Sequence, residues 1–247
     1  MSGIQCTSAD GVVLHHVDEH VIVAEKPSGM LVHRGEDRDP VVLMTAVRDL
    51  IGGWTWPAHR LDRGTSGAVV LARSSEAAGQ MQRLFRDGLM DKRYLAWVRG
   101  VAPEGGIIDH PVPKDGRRGP RLDAVSAWRR LAISKRAGGR KHSLVEVSPK
   151  TGRRHQLRRH LSHLNHPILG DQAHGDRGVN RLLNAELGLT RMALHAWRIA
   201  YDDPWTGERV QVTVPVPEDL AGPVGAMGLL RELDTFPPWD PFAELEA

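Results

Sequence analysis

The stretch His59-Arg60-Leu61-Asp62-Arg63-Gly64-Thr65-Ser66-Gly67 places one carboxylate between two guanidinium groups, in a turn just ahead of the apolar run Gly67–Ala72. A carboxylate presented on a turn by a buried strand can serve as nucleophile or base. Cationic neighbours stabilise its negative charge, and arginines it does not consume can grip phosphates. The same residues also suit a structural aspartate that caps the turn and pairs with a surface arginine.

A second constellation is Pro149-Lys150-Thr151-Gly152-Arg153-Arg154-His155-Gln156-Leu157-Arg158-Arg159-His160. A strand ends, Thr-Gly turns, and a basic helix begins, so exposed amides and cationic side chains converge as they do in anion sites. Arg154 and Arg158 are four apart and share a helix face. A solvated basic helix fits too, and nothing local selects which arginine faces inward. Tyr94, in Lys92-Arg93-Tyr94, is one of only two tyrosines. It suits stacking on a base or moving a proton, and equally a half-buried strand aromatic. His155, His160, His163, His166 and His174 lack a carboxylate or cysteine completing a familiar ligand spacing, and their neighbours are basic, so no metal is expected. No phosphate-binding Walker loop, GxGxxG fingerprint or GxSxG elbow occurs, which leaves nucleotide-driven, hydride-transfer and serine-hydrolase chemistry without support.

These groups sit on a strongly polarised chain. From Arg129 to His160 there are eleven Lys or Arg residues against one acid, Glu146; from Pro217 to Ala247 there are seven acids against one base, Arg231. The overall charge of +3 conceals this segregation, which predicts a positive face suited to a polyanion. A merely solubilising surface is the plainer alternative. One cysteine, Cys6, allows no internal disulfide, and the N-terminus has no signal-peptide pattern. No apolar run reaches the length of a membrane span. A cytoplasmic monomer is the expectation.

The elements that must hold these residues read as α+β with a largely antiparallel or mixed sheet, because strands outnumber helices and do not alternate regularly with them. Two short strands flank a turn at Asp18-Glu19. A helix spans Val41–Ile51 and stops at Gly52-Gly53. Gly67–Ala72 is a buried strand, followed by a helix capped at Ser74 or Ser75 and running to about Met90. Lys92–Arg99, Ala124–Ile133 and His142–Val147 are strands, and Arg154–Leu164 is a short basic helix. Residues Pro103–Asp123 read as one long basic loop. Met192–Tyr201 and Glu208–Val214 form a hairpin, and the end is a helix and an acidic, Pro-rich tail. A catalytic domain over 1–216 and a C-terminal helix and tail over 217–247 are expected.

In combination these pieces resemble a known family. HRLDRGTSG resembles the catalytic motif of the RluA-type RNA pseudouridine synthases, KPSGMLVH their opening motif, KRYLAWVRG their tyrosine-containing motif, and SPKTGRRHQLRRHLSHLNHPILGD their third motif with its helix. The order and spacing fit from about Asp18 to Val214. Within the family, LVHR, RRHLSHLNHPILGD and HGDRGVNR resemble the branch that modifies uridine 65 in the tRNA acceptor stem. Ser126 and Trp128 stand where Thr and Tyr are usual in the family.

The resemblance implies a mixed, mainly antiparallel sheet with flanking helices and a central RNA-binding cleft, and a reaction without cofactor or metal. KPSG begins only about 25 residues in, so the N-terminal S4-like RNA-binding domain of many relatives is not expected. Residue by residue, the resemblance implies that Asp62 is the catalytic carboxylate and that Tyr94 packs on the target base and accepts a proton. It implies that Arg158 pairs with the catalytic carboxylate, with Leu157 beside it, and that Arg60 enters the RNA helix where the base has left. Arg63, Lys150, Arg153, Arg154 and His155, with the Lys114–Arg121 loop, are expected to contact RNA. The rivals are a ribosomal-RNA target within the family, a non-catalytic RNA-binding or assembly protein, and a metal-dependent hydrolase using the histidines.

Overall fold

The structure is a computed structural model describing residues 10–35, 39–114, 119–230, 236 and 239–243. In chain order its first elements are β1 (Val13–Val17), β2 (Val21–Lys26), α1 (Leu43–Ile51), β3 (Trp56–Pro57), β4 (Ser66–Ala72) and α2 (Ser75–Arg86). Next come β5 (Asp91–Arg99), β6 (Gly105–Asp109), β7 (Val112–Pro113), β8 (Arg121–Leu122), β9 (Val125–Ile133) and β10 (His142–Pro149). The last are α3 (Gln156–His163), α4 (Arg177–Leu187), β11 (Leu194–Asp202), β12 (Arg209–Thr213) and α5 (Glu218–Ala226). Contacts gather into two units: Met1–Lys92 with His195–Pro215, and Arg93–Leu194 with Val216–Ala247.

In the first unit β4 is the organising strand. All seven of its residues are buried, as the unbroken run SGAVVLA requires. It pairs antiparallel with β2 along Val21–Lys26 and with β3 at Trp56 and Pro57. It pairs parallel with β11 through His195↔Ser66 and Ala196↔Gly67. β1 completes one edge on β2, and β12 pairs antiparallel with β11 as the expected hairpin. Met81, Leu84 and Phe85 of α2 pack against Val21, Val23, Val70, Ile199 and Val212. Helical spacing on α2 thus meets alternate strand positions. Ser74 caps α2 by accepting the Ala77 N–H, and the helix ends at Arg86, four residues short of expectation.

The second unit is an antiparallel sheet in the order β5-β10-β9-β6. β10 is buried at all eight positions, and α3 follows it after one turn. The stretch Pro103–Asp123 is not one loop. β6 pairs with β9, and β7 with β8 forms a separate ribbon; residues 115–118 of that stretch lie outside the described residues. Gly105 and Gly106 disfavour a strand locally, yet the close approach of β9 needs the first: a Cβ on Gly105 would lie 2.8 Å from the Trp128 carbonyl oxygen. The helix α4, absent from the sequence reading, is capped at Asp176 and closed by Gly188 in the left-handed region.

The described residues of the C-terminal end make contacts of their own. Trp239 lies over the guanidinium groups of both Arg93 and Arg129, at 5.0 and 5.1 Å from the ring centre. Arg93 also donates to the Trp239 carbonyl. Glu146, almost fully buried on β10, ion-pairs with both arginines, so the one acid of the basic stretch offsets part of the charge of the platform on which the indole rests.

Candidate active site

The turn bearing Asp62 is built within the first unit. The Thr65 N–H donates to the Asp62 carbonyl at 3.0 Å, closing the turn. Ser66 enters β4, where its hydroxyl contacts His195 Nδ1 at 2.9 Å; His195 Nε2 in turn donates to the Val214 carbonyl. Gly67 has φ +112°, and a Cβ there would sit 2.2 Å from the Ala196 carbonyl oxygen, so the parallel β4–β11 contact demands glycine at this position.

The opening motif clamps the same turn from the other side. Lys26 is fully buried. Its ammonium donates to the carbonyls of Pro27, Met30 and Arg63 at 2.8, 2.8 and 3.1 Å. Ser28 donates to the Gly64 carbonyl, and the Gly29 N–H to the Arg63 carbonyl at 2.8 Å. A buried ammonium is tolerated only with its donors satisfied, and here the acceptors include the residue next to Asp62.

His59 anchors the turn's leading end. Its Nε2 accepts the Val70 N–H at 3.0 Å, and its ring packs on Phe85 at 4.3 Å. Burial, then the nearby Lys92 ammonium, pushes the imidazole down to about 3, against a backbone hydrogen bond at Arg60 that acts the other way. Burial likewise brings Lys92 down to about 8 despite Asp91. The turn's arginines differ. Arg63 pairs through two nitrogens with Asp39, whereas the exposed Arg60 guanidinium has no hydrogen bond or ion pair among the described residues.

The second unit gathers Tyr94, Lys150, Arg153, Arg154, His155 and Arg158. Tyr94 is half-buried on β5, opposite Val147 of β10. β10 runs on to Lys150 and the turn into α3. Gln156 organises that turn, which sequence reasoning missed. Its Oε1 accepts from the Thr151 hydroxyl and the Arg153 N–H, and its Nε2 donates to the Val125 carbonyl and the Ser126 hydroxyl. One amide thereby fixes the path of the backbone ahead of the helix, with His155 held at φ 54°. The small hydroxyl of Ser126 serves both Gln156 and His160.

Two edge nitrogens of Arg158, Nε and Nη2, are taken by Asp171 at 2.7 and 2.9 Å. Asp171 is 1 % exposed and also accepts the N–H groups of Ala173 and His174. Burial alone would raise its pKa; the hydrogen bond and charge of Arg158 and those two amides bring it below the usual carboxylate value. Nothing in the sequence marked Asp171 as a partner of Arg158, beyond its place at the end of HPILGD.

The candidate RNA contacts divide by occupation. Arg154 is exposed and has no partner among the described residues. Arg153 donates to the Asp123 carbonyl, Lys150 lies over the Phe242 ring, and His155 Nδ1 meets His174 Nε2 at 3.0 Å. The other histidines are dispersed: His160 is buried between Ser126 and the His110 carbonyl, His163 stacks on His110, and His166 donates to the Arg99 carbonyl. Among the described residues no group of three or more His, Cys, Asp or Glu is placed to hold a metal ion.

The family model described as RNA pseudouridylate synthase matches residues 20–163. The chain belongs to this family, and its α+β fold with a mixed, mostly antiparallel sheet is the pseudouridine synthase fold. It is 40% identical over 222 residues to tRNA pseudouridine synthase C of Pectobacterium carotovorum subsp. carotovorum, covering 83% of this chain and 58% of that one. It is 36% identical over 233 residues to the protein of that name from Vibrio cholerae serotype O1, covering 87% and 96%. The solved structure of human RNA pseudouridylate synthase domain containing 4 superposes with TM-score 0.71 at 28% identity, over 88% of this chain and 94% of that one. No helix among the described residues is long and apolar enough to cross a membrane.

Proposed function

We propose that this protein isomerises uridine to pseudouridine in tRNA, at position 65 of the acceptor stem, acting as a monomer in the cytoplasm. The observation that carries the reading is the Asp62 turn, held by the opening motif through bonds from Lys26, Ser28 and Gly29 to the Arg63 and Gly64 carbonyls, with Arg60 beside it unspent. Relatives named tRNA pseudouridine synthase C, 36% and 40% identical to this chain, support tRNA as the substrate class.

In the reaction the N1–C1′ bond breaks, the uracil turns and C5 bonds to C1′, while C5 loses a proton and N1 gains one. Atoms and electrons balance without an outside reagent. A uridine in a stem must first leave the stack, which costs a few kcal/mol. Arg60 fills the vacated space, and phosphate contacts from Arg154, Arg153 and Lys150 offset the cost. Asp62 acts at the sugar, by attack at C1′ or by assisting proton removal; Tyr94 packs on the base, and Arg158 supplies positive charge for the carboxylate.

The test is pseudouridine formation on tRNA transcripts, paired with RNA binding. Asp62→Asn abolishes product, by about a thousandfold or more, while binding survives. Turnover within tenfold of the parent protein rejects Asp62. Product on a ribosomal-RNA fragment and none on tRNA rejects the substrate.

A further inference from the structure

The helix α4 carries two arginines that no group among the described residues bonds. Arg177 and Arg181, one turn apart, are exposed, and neither guanidinium has a hydrogen bond or ion pair among the described residues. Their neighbours contrast: Arg99, Arg158 and Arg191 are bonded to Asp176, Asp171 and Asp219 respectively. Arg177 opens the helix, where the backbone dipole favours an anion and disfavours a cation, and the first turn of α4 contains no acid. Asp176 caps it, but its carboxylate is committed to Arg99 and to two backbone N–H groups.

The two arginines border an open pocket of about 430 Å³ that they share with Gln172, Asn184 and Thr190, above Asn180 and Leu189. That volume falls in the range of about 300–1,000 Å³ in which proteins hold small ligands. Among the described residues no carboxylate lines it. Its floor is fixed: Asn180 accepts the Gly170 N–H at 2.9 Å and donates to the Asp171 carbonyl at 3.0 Å. Asp171 is the residue that holds Arg158. Two guanidinium groups beside amides and a hydroxyl match a phosphodiester with its ribose.

We infer that this pocket is a second RNA-backbone site, taking a phosphodiester and ribose of the substrate away from the nucleotide being modified. This rests on the RNA reading above and deepens it. A backbone gripped on α4 is tied through Asn180 and Asp171 to the arginine of α3, so the site sets where along an RNA the protein sits. Free phosphate or a free nucleotide presents the same chemistry, and the test separates the sources.

The experiment measures the dissociation constant of a tRNA transcript against salt for the full chain, for R177A/R181A and for the control R83A/R86A on α2. Each phosphate contact contributes roughly 0.7–0.9 to the salt slope. The pocket variant is expected to lose about one to two in slope and tenfold or more in affinity at moderate salt, and to lose kcat/KM mainly through KM. The control is expected to retain the parental slope. Equal slopes and affinities for all three proteins overturn the site. Uridine 5′-monophosphate binding that depends on Arg177 and Arg181, with tRNA affinity unaltered, assigns the pocket to a free nucleotide and also overturns it. A slope change in a protein that makes no pseudouridine in any RNA sinks the catalytic reading and leaves the pocket standing.

Discussion

His59 makes the stability of the first unit depend on pH in a way that can be worked out. Its Nε2 accepts the Val70 N–H, so the ring must be neutral there. Burial and Lys92 hold it at about 3, against 6.5 when free. Between those values the unfolded chain binds the proton and the folded chain does not, so stability is complete above 6.5 and is lost as pH falls. At pH 5 the unfolded imidazole is almost fully protonated, and with 1.36 kcal/mol per unit the loss relative to pH 7.5 is about 2 kcal/mol. Other buried histidines, His142 and His160, are also lowered by burial and add to the slope of the parent protein, so the informative quantity is a difference. Urea unfolding at pH 7.5, 6 and 5 is compared for the parent and His59→Gln, whose amide can still accept from Val70. The variant is expected to lose about 2 kcal/mol less between pH 7.5 and 5. Ring proton shifts should show His59 untitrated down to pH 4. Identical pH dependence in the two proteins, or an imidazole titrating near 6.5, refutes the argument.

Lys92 gives the complementary limb. Lowered to about 8, it releases its proton in the folded state before the unfolded chain does, so stability rises by about 3 kcal/mol from pH 8 to 10.5; Lys92→Met should flatten that rise in alkaline denaturation curves. Asp171→Asn removes the carboxylate charge that faces two nitrogens of the Arg158 guanidinium, 11 % exposed. A loss of about 3 kcal/mol is expected, read in urea, and kcat should fall as the arginine loosens; an unaltered kcat separates Asp171 from catalysis. Gly67→Ala forces a Cβ to 2.2 Å from a carbonyl oxygen, and soluble folded protein is not expected. Trp239→Ala removes two cation–π contacts and should cost about 1–2 kcal/mol, seen as a lower Tm that high salt does not restore.

How much of this was legible depended on whether the signal was local. The buried strand β4 announces itself in SGAVVLA, and α2 in a serine cap followed by apolar residues at helical spacing, because burial of those faces dictates the pattern. Asp62 stood out as a candidate because an acid among arginines in a turn is an unusual local composition, while its catalytic role is what the resemblance of HRLDRGTSG implies. What escaped was set by partners far along the chain. β6 begins with two glycines and reads as loop until β9 lies against it, and α4 shows only Val179, Asn180 and Leu183 to the core, too few to separate it from a polar loop. Lys26 reads as a surface lysine, yet its ammonium is buried because carbonyls of three residues converge there, one of them 37 positions away. Arg158 gave no hint of Asp171, since 13 residues separate them and only the turn at Gly170 closes the distance. A Cβ on Gly170 would lie 1.9 Å from the Arg191 carbonyl oxygen. The glycine of HPILGD is therefore required by backbone packing, and the aspartate that follows it is aimed at the arginine of α3 by the same turn.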